Sequence, residues 1–275
     1  MKLQAIREVS VAIQATHRFI YFIPEIAEEA TRLGVAERGR TYFAFRSAAM
    51  GAVPWQVTLA TFYNFSPRAV QTMTGVWDAA PPAQWQAARL TAAGGAMRRV
   101  GVALTDHEIA EARSLLDPLV SDADYAGKPL AAANASVALP DDPLLALWQE
   151  LTVLREWRGD AHVLVLADNR VGPCECNILQ AATGRFPAAP VARATRLWSD
   201  REWTEATARL AARGWLNDDG TATAAGYEAR ERIEVETDEH CAALWSRVDE
   251  RSAHRLAALV TPINDAFTAA GTYSG

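Results

Sequence analysis

Cysteine and lysine are both scarce in this sequence of 275 residues. Cys174 and Cys176 stand one residue apart, which is too close for an ordinary bridge, and Cys241 is the third cysteine, so no disulfide framework is indicated. Lys2 and Lys128 are the only lysines, whereas arginine and alanine are abundant. That bias is typical of a GC-rich genome and carries no information about mechanism.

Long apolar runs are missing as well. No stretch approaches the roughly 18 consecutive apolar residues of a membrane-spanning helix. The N-terminal segment carries Arg7 and Glu8 early and lacks a clean apolar stretch before a cleavage site. We therefore expect this segment to be a helix of the mature protein, and we predict a cytoplasmic protein with no membrane partner.

The usual signatures of cofactor and metal chemistry do not occur in the sequence. It contains no phosphate-binding glycine loop, no GxSxG serine motif, and no HExxH or paired CxxC motif. His162 with Cys174 and Cys176 would be an incomplete set of metal ligands at unusual spacing. Neither a cofactor nor a metal ion is predicted.

The net charge is −6 at pH 7, and the isoelectric point is near 5.5. Proteins dedicated to DNA binding usually present a basic face, because neutralised phosphates supply most of the non-specific affinity. An acidic total is compatible with a local basic patch, but it disfavours DNA as the main partner.

Helical periodicity dominates the sequence and predicts a mainly α fold. Pro24 is expected to divide the helical pattern of residues 7–33. Residues 39–65 are rich in aromatic and small side chains, which indicates a helix buried on most sides. Three helix starts are recognisable from a capping side chain and the residues that follow it: Ser66, Thr105 and Ser199.

Residues 121–142 show little periodicity and contain several turn-forming residues, so we predict a linker there. The linker would separate an N-terminal helical domain, 1–120, from a C-terminal helical and winged-helix domain, 143–275. Within the second domain, an amphipathic helix is expected to end in a turn at residues 158–160. A further apolar helix is expected at 161–168.

The C-terminal part has the element order of the second half of a winged helix of the MarR type. A helix at residues 200–213 is followed by a glycine at 214 and an apolar pair at 215–216. A tight turn at 217–220, a short strand at 221–223 and a long charged helix at 224–238 come next. The alternative is an αα-hairpin with a polar turn. Paired tryptophans before Ala88–Gly94 and again before Ala208–Gly214 also suggest a pseudo-duplicated winged-helix architecture.

The helix of residues 200–213 bears acidic side chains where base contacts would fall, and the turn that follows is acidic too. Carboxylates next to phosphates weaken binding, so this unit is interpreted as a degenerate winged helix. Four arginines remain available, Arg196, Arg201, Arg209 and Arg213, and the last three are the candidates for contact with DNA.

A second group of residues is a candidate for ligand binding or acid–base chemistry. His17 and Tyr21 stand four residues apart on one helical face, and Arg46 lies in an aromatic stretch where it needs an acidic partner or an anionic ligand. The candidate ligand-binding residues are Tyr21, Tyr42, Arg46, Arg158 and Asp160. The candidate catalytic residues, if the protein is an enzyme, are His17, His162 and Glu175. The alternative is that these side chains only tie helices together.

Several runs of the sequence resemble an actinobacterial family of helix-turn-helix-like proteins: Tyr42–Gly51, Ala60–Pro67, Val76–Trp77, Leu147–Gln149, Leu154–Glu156, Arg158–His162 and Ala224–Gly226. The resemblance covers nearly the whole chain. It implies two helical units, the second of them MarR-like, and carries no defined activity with it. Fold analogy alone does not decide function.

Three functional hypotheses follow. The first is a winged-helix-like protein that is expected to form a homodimer. It binds a small ligand in a pocket between its two halves and acts as a sensor, a sequestering protein or a transcriptional regulator. The second is an enzyme of specialised metabolism on a scaffold that no longer binds DNA, with His17 or His162 as the general base. The third is an interaction module without a small ligand.

Overall fold

The computed structural model describes residues 1–185 and 187–273, and this part of the chain is mainly helical, as predicted. The helices of the first half are α1 Leu3–His17, α2 Glu25–Arg32, α3 Arg38–Ser47, α4 Trp55–Phe62, α5 Pro67–Gln71, α6 Val76–Ala79, α7 Pro82–Val100, α8 Asp106–Val120 and α9 Pro129–Ala135. Those of the second half are α10 Pro143–Asp168, α11 Pro173–Ala182, α12 Ala189–Thr195, α13 Asp200–Ala212, α14 Ala224–Trp245 and α15 Glu250–Ala269. Short 3-10 helices occur at Arg18–Tyr21 and Ala48–Met50.

The chain divides into two compact units, each built from segments that are distant in sequence. Unit 1 comprises Met1–Val53, Met73–Asp160 and Asp238–Gly275, and unit 2 comprises Pro54–Thr72 and Ala161–Thr237. This division differs from the sequential one expected above. Residues 121–142, expected to be a linker, carry α9 and lie within unit 1.

Unit 1 is organised around its first and last helices and α7. In α1, Ile6, Val9 and Ile13 recur at three- and four-residue steps and are fully buried, and α1 packs on α15. The ring of Phe19 stacks on that of Phe267 of α15, with 4.1 Å between centroids. Both rings belong to a core that also contains alanines of α7 and residues of α10.

Unit 2 contains a helix-turn-helix arrangement followed by a tight hairpin. Helix α11 packs on both α12 and α13, and residues 196–199 connect α12 to α13. After α13 the chain turns at Gly214, whose φ is 72°, and the Asn217 N–H donates to the Thr221 carbonyl (2.9 Å) before α14 begins. The element order is that predicted for residues 200–238.

Several boundaries match the sequence expectations. Pro24 precedes α2 and separates it from the end of α1. Ser66, Thr105 and Ser199 each accept a hydrogen bond from a backbone N–H in the first turn of the helix they cap.

Other expectations were wrong. Residues 39–65 are not one helix, because Gly51 adopts a φ of 81° and Pro54 follows before α4 begins. No turn occurs at 158–160, since α10 continues to Asp168. The strand expected at 221–223 is reduced to a single antiparallel bridge, and no strand occurs among residues 1–185 and 187–273. None of the helices in these ranges has the length and apolar character needed to cross a bilayer.

Candidate functional site

Unit 1 gathers ionisable and aromatic side chains from several helical segments in its interior. They come from the end of α1, the 3-10 helix that follows it, α3, α7 and α10. We call this group the buried polar cluster, and its members are His17, Tyr21, Tyr42, Arg46, Arg89, Trp148, Arg155 and Glu156. Four of them, His17, Tyr21, Tyr42 and Arg46, belong to the set predicted from the sequence.

Glu156 is the acidic member of the cluster and is shared by two arginines. Arg46 donates from one nitrogen to both carboxylate oxygens, at 3.1 and 2.9 Å, and Arg155 approaches to 2.6 Å. Burial by itself would raise the pKa of Glu156, but the charges of Arg155 and Arg46 outweigh it and hold that pKa below its ordinary value. Arg46 also donates to the Tyr42 hydroxyl (3.0 Å). Glu156 is therefore ionised and fully engaged.

Arg89 of α7 is the unusual member of the cluster. It is buried, and its hydrogen-bond acceptors are the Gln149 amide oxygen (3.3 Å), the Thr152 hydroxyl (3.3 Å) and the His17 ring nitrogen Nε2 (3.1 Å). Its guanidinium carbon lies 4.4 Å from the centre of the Trp148 ring. Burial lowers the pKa of Arg89 to about 10, so the group is still charged at neutral pH. Each of these acceptors is neutral.

His17 is fully buried beside Arg89. Its ring stacks on Trp148 with 5.3 Å between centroids, and the Arg89 N–H donates to Nε2, which places the imidazole proton on Nδ1. Burial, followed by the charges of Arg155, Arg89 and Arg46, holds the pKa of His17 well below its ordinary value. The neutral imidazole is thus fixed in one tautomer.

Several polar atoms of the cluster are buried without a hydrogen-bond partner in the described part of the chain. Among them are His17 Nδ1, the Tyr21 hydroxyl and Trp148 Nε1. Buried polar atoms are normally satisfied, and an orphaned one costs about 1–3 kcal/mol. The cluster therefore combines three guanidinium groups, one carboxylate and orphaned polar atoms, and its positive charge exceeds its negative charge.

A small cavity reaches the cluster at Arg89. Its volume is about 10 Å³, which is room for roughly one water-sized group. It lies in unit 1 and is lined by Phe45, Ala49, Gln86, Arg89, Leu90, Asn134, Val137 and Gln149. Arg89 and Gln149 therefore belong both to this cavity and to the hydrogen-bond network of the cluster.

Arg158 and Asp160, also predicted to bind a ligand, have other contacts within unit 1. Arg158 pairs with Asp238 at 3.0 Å, and Arg7 pairs with the second oxygen of the same carboxylate at 2.6 Å. Asp160 accepts the backbone N–H groups of Leu130 (3.0 Å) and Ala131 (2.9 Å) at the start of α9. Burial raises the pKa of Asp160 to about 7 against the effect of these bonds. Both side chains thus tie helices together.

His162 and Glu175 belong to unit 2. His162 Nδ1 lies 2.9 Å from the Thr237 hydroxyl. Glu175 accepts the Gly172 N–H (2.9 Å) at the start of α11 and pairs with Arg209. The predicted catalytic Glu175 and the predicted DNA-binding Arg209 are therefore partners of each other. A pocket that joins His162 and Glu175 with the buried polar cluster stays a prediction.

The other two arginines predicted to contact DNA are exposed on unit 2. Arg201 pairs with Glu205, one helical turn away, at 2.9 Å. Arg213 donates to the carbonyls of Asn169 (3.1 Å) and Arg170 (3.0 Å) and lies over the Trp215 ring. Both contacts leave the side chain at the surface.

The acidic residues at the start of α13 are paired within unit 2. Asp200 lies 2.6 Å from Arg193, and Glu202 pairs with Arg68 and accepts the Ser199 N–H at 2.9 Å. The bonds from Arg68 and then Ser199 lower the pKa of Glu202 to about 2. Local ion pairs therefore offset much of the negative charge that the sequence places on this helix.

Sequence reasoning missed Arg89, the residue at the centre of the cluster. A signal was present, because the buried positions of α7 recur at three- and four-residue steps and include Trp85, Arg89, Ala92 and Ala96. A charged residue in such an apolar stripe indicates a buried charge that needs an explanation.

Comparisons with known proteins give one match. A family model described as a helix-turn-helix family matches residues 6–274 of the chain. No curated protein and no solved structure matches it. Among the residues that the structure describes, no three His, Cys, Asp or Glu side chains are grouped to hold a metal ion. The family match includes α12, α13 and every residue of the buried polar cluster.

Proposed function

The chain belongs to the helix-turn-helix family, and from that premise we propose that it is a regulator-type protein that binds a small ligand in unit 1. The observation that carries the proposal is the burial of Arg89 among neutral acceptors, in a cluster whose other two arginines share one carboxylate. The same cluster contains orphaned polar atoms at His17 and Tyr21.

A buried arginine without a counter-charge, such as Arg89, does not contribute to the stability of a protein core. A buried charge without a counter-charge is costly, and apolar residues of similar volume are often equally stable or more stable in its place. Polar groups that are retained at a cost to stability concentrate at binding and catalytic sites. A ligand that compensates the charge of Arg89 and forms hydrogen bonds with the orphaned atoms of His17 and Tyr21 would explain why these residues are kept.

Unit 2 is the part that we propose for contact with DNA. Helix α13 follows α12 after a four-residue connection and precedes a hairpin, and the recognition helix of a winged helix has this position. Unit 2 contains ten arginines and eleven acidic residues. Since its charge is nearly balanced, non-specific affinity should be weak, and binding should depend on a few exposed arginines.

The proposal extends to a cytoplasmic homodimer of the MarR type. Two copies would present two copies of α13 to successive turns of DNA, which concentrates the few available arginines. Sedimentation equilibrium measures the mass in solution, and a monomer at micromolar concentration would remove this part of the proposal.

For DNA, the experiment is a fluorescence-anisotropy titration of a duplex taken from upstream of the gene, repeated at several salt concentrations. Arg201→Gln is expected to reduce the slope of log K against log salt by about 0.9, because one phosphate contact is lost. Arg32→Gln is the matched control, since Arg32 is exposed on α2 of unit 1 and pairs with Glu29 in the same way. No binding of any duplex at low salt would contradict the role of DNA.

For the ligand, the experiment is a thermal-shift screen of the full chain against a panel of metabolites. A ligand present at 100 times its Kd stabilises the folded state by about 2.7 kcal/mol, which is a readily measured rise in Tm. A hit should lose its effect in Arg89→Gln. A panel without any hit favours the interaction module.

A further inference from the structure

Arg89 is the arginine of the buried polar cluster that has no carboxylate partner among the described residues. Arg46 and Arg155 each form an ion pair with the carboxylate of Glu156. Arg89 contacts Gln149, Thr152 and His17, each of which is neutral, and none of its contacts is a carboxylate. The group that is missing beside Arg89 is thus a negative charge.

The hydrogen-bond donors in the lining of the cavity beside Arg89 are side-chain amides and the Arg89 guanidinium. The side-chain nitrogen of Gln149 already donates to the Asn134 carbonyl (3.0 Å), and that of Gln86 donates to the Ala48 carbonyl (2.9 Å). Asn134 likewise donates to the Leu130 carbonyl (2.8 Å). Each of these amide nitrogens thus has one N–H engaged, whereas the guanidinium is the charged donor in the cavity lining, and its planar fork matches a carboxylate.

The remaining cavity wall is apolar. Phe45, Leu90 and Val137 line it together with Ala49. A wall of this kind suits the hydrocarbon body of an organic acid better than a fully hydrated inorganic anion. Because the cavity itself holds only about one water-sized group, a larger body has to displace the half-buried side chains of Leu90 and Val137.

We propose that the ligand of unit 1 carries a single carboxylate group, which pairs with Arg89 at the inner end of this cavity. The inference rests on the proposed function, because it names the chemistry of the ligand for the same site. The carboxylate provides the counter-charge of Arg89, and the apolar wall contacts the rest of the ligand. Glu156 keeps its own two arginines.

The test compares the Tm of the full chain in sodium formate and sodium benzoate with that in sodium chloride at equal ionic strength. Benzamide, the neutral isostere of benzoate, is the chemical control. Formate is the smallest carboxylate and probes the inner end of the cavity, whereas benzoate also probes the apolar wall. We expect both carboxylates to raise Tm saturably and benzamide to have no effect.

Arg89→Gln removes the charge and should weaken the response by about tenfold or more, the loss expected for a charged hydrogen bond. Arg99→Gln is the matched control on the same helix, because Arg99 pairs with Glu25 at the surface, and it should leave the response unchanged. Arg89→Lys keeps the charge without the planar fork and should respond to an intermediate extent. It also serves as the test variant if Arg89→Gln does not fold.

An equal response in wild type and Arg89→Gln overturns the inference, as does the absence of a response to either carboxylate. In that case neutral metabolites that still raise the Tm of the wild type leave the proposed function standing. If no compound of either kind changes the Tm, the inference and the proposed ligand role both fail.

Discussion

Buried charged side chains have different kinds of partner in the two units. In unit 2 the buried carboxylates Glu175 and Glu234 each pair with an arginine, and the core around α11 and α13 is formed by apolar side chains. In unit 1 three arginines surround one carboxylate, and the most deeply placed of them, Arg89, has neutral partners. The buried carboxylates of unit 2 named here are matched by arginines, whereas the buried polar cluster of unit 1 has an excess of positive charge.

This difference is the reason that we propose the ligand site in unit 1. Matched pairs leave no charge for a ligand to compensate, whereas a buried cation without a counter-charge is stabilised by an anionic ligand. Under the proposed function, unit 2 contacts DNA and unit 1 responds to the ligand. Variants in the two units should separate these roles.

The largest effect is expected for Glu156→Gln. The change removes the negative charge that Arg46 and Arg155 share and leaves both near Arg89 without compensation. Breaking a buried pair by removing one partner typically costs about 3–5 kcal/mol of the free energy of unfolding. Urea unfolding followed by circular dichroism measures the loss.

The control is Glu205→Gln in unit 2. Glu205 pairs with Arg201 on the exposed side of α13, where such a pair contributes about 0.5 kcal/mol or less. If the two variants lose similar stability, the contrast between buried and surface charge in the two units is wrong.

Two glycines provide the next comparison. Gly226 lies at the start of α14, where a Cβ would collide with the carbonyl oxygen of Trp215, so Gly226→Ala should cost about 1–3 kcal/mol despite the better helix propensity of alanine. Gly95 lies inside α7, and the nearest atom to a Cβ there is 3.7 Å away. Gly95→Ala should therefore stabilise unit 1 by about 0.5–1 kcal/mol. Thermal unfolding measures the stability of both variants. An increase in stability for Gly226→Ala would contradict the close approach of Gly226 to the Trp215 carbonyl.

Local signals in the sequence predicted local structure well. The caps at Ser66, Thr105 and Ser199 were recognisable because a capping side chain and its helix are neighbours in the chain. The order of elements from α13 to α14 was recognisable for the same reason. The breaks at Gly51 and Pro54 were overlooked because the aromatic content of residues 39–65 dominated the pattern.

Long-range pairing could not be predicted in the same way. Arg46 and Glu156 are 110 positions apart, and the sequence contains no signal that joins them. The same holds for α1 and α15, which pack together from opposite ends of the chain. Residues 158–160 were expected to form a turn, but α10 continues through them, and Arg158 and Asp160 have partners far away in the sequence.

The prediction that is most specific to unit 1 concerns pH. Burial holds the pKa of His17 well below 6.5, so its unfolded form binds a proton more readily. The stability that neutral His17 contributes is full above about pH 6.5 and is lost as pH falls below it. The pKa of Asp160 is raised from 3.8 to about 7, so its contribution has the opposite sign and is lost as pH rises toward 7. Each contribution changes by at most about 1.4 kcal/mol per pH unit.

Between about pH 4 and 6.5 these two contributions oppose each other, and single variants should separate them. Asp160→Asn should make stability rise with pH over this range, because the effect of His17 is then unopposed. His17→Gln should make stability fall as pH rises from 5.5 to 6.5, because Asp160 then acts without His17 and the carboxyl groups with a lowered pKa, such as Glu25 and Glu156, are already ionised. Unit 2 should add little, since the pKa of Glu202 is about 2 and that of Tyr63 about 12. Urea unfolding at pH 4.5, 5.5 and 6.5 gives the slopes, and equal slopes in both variants would show that neither group titrates as its burial requires.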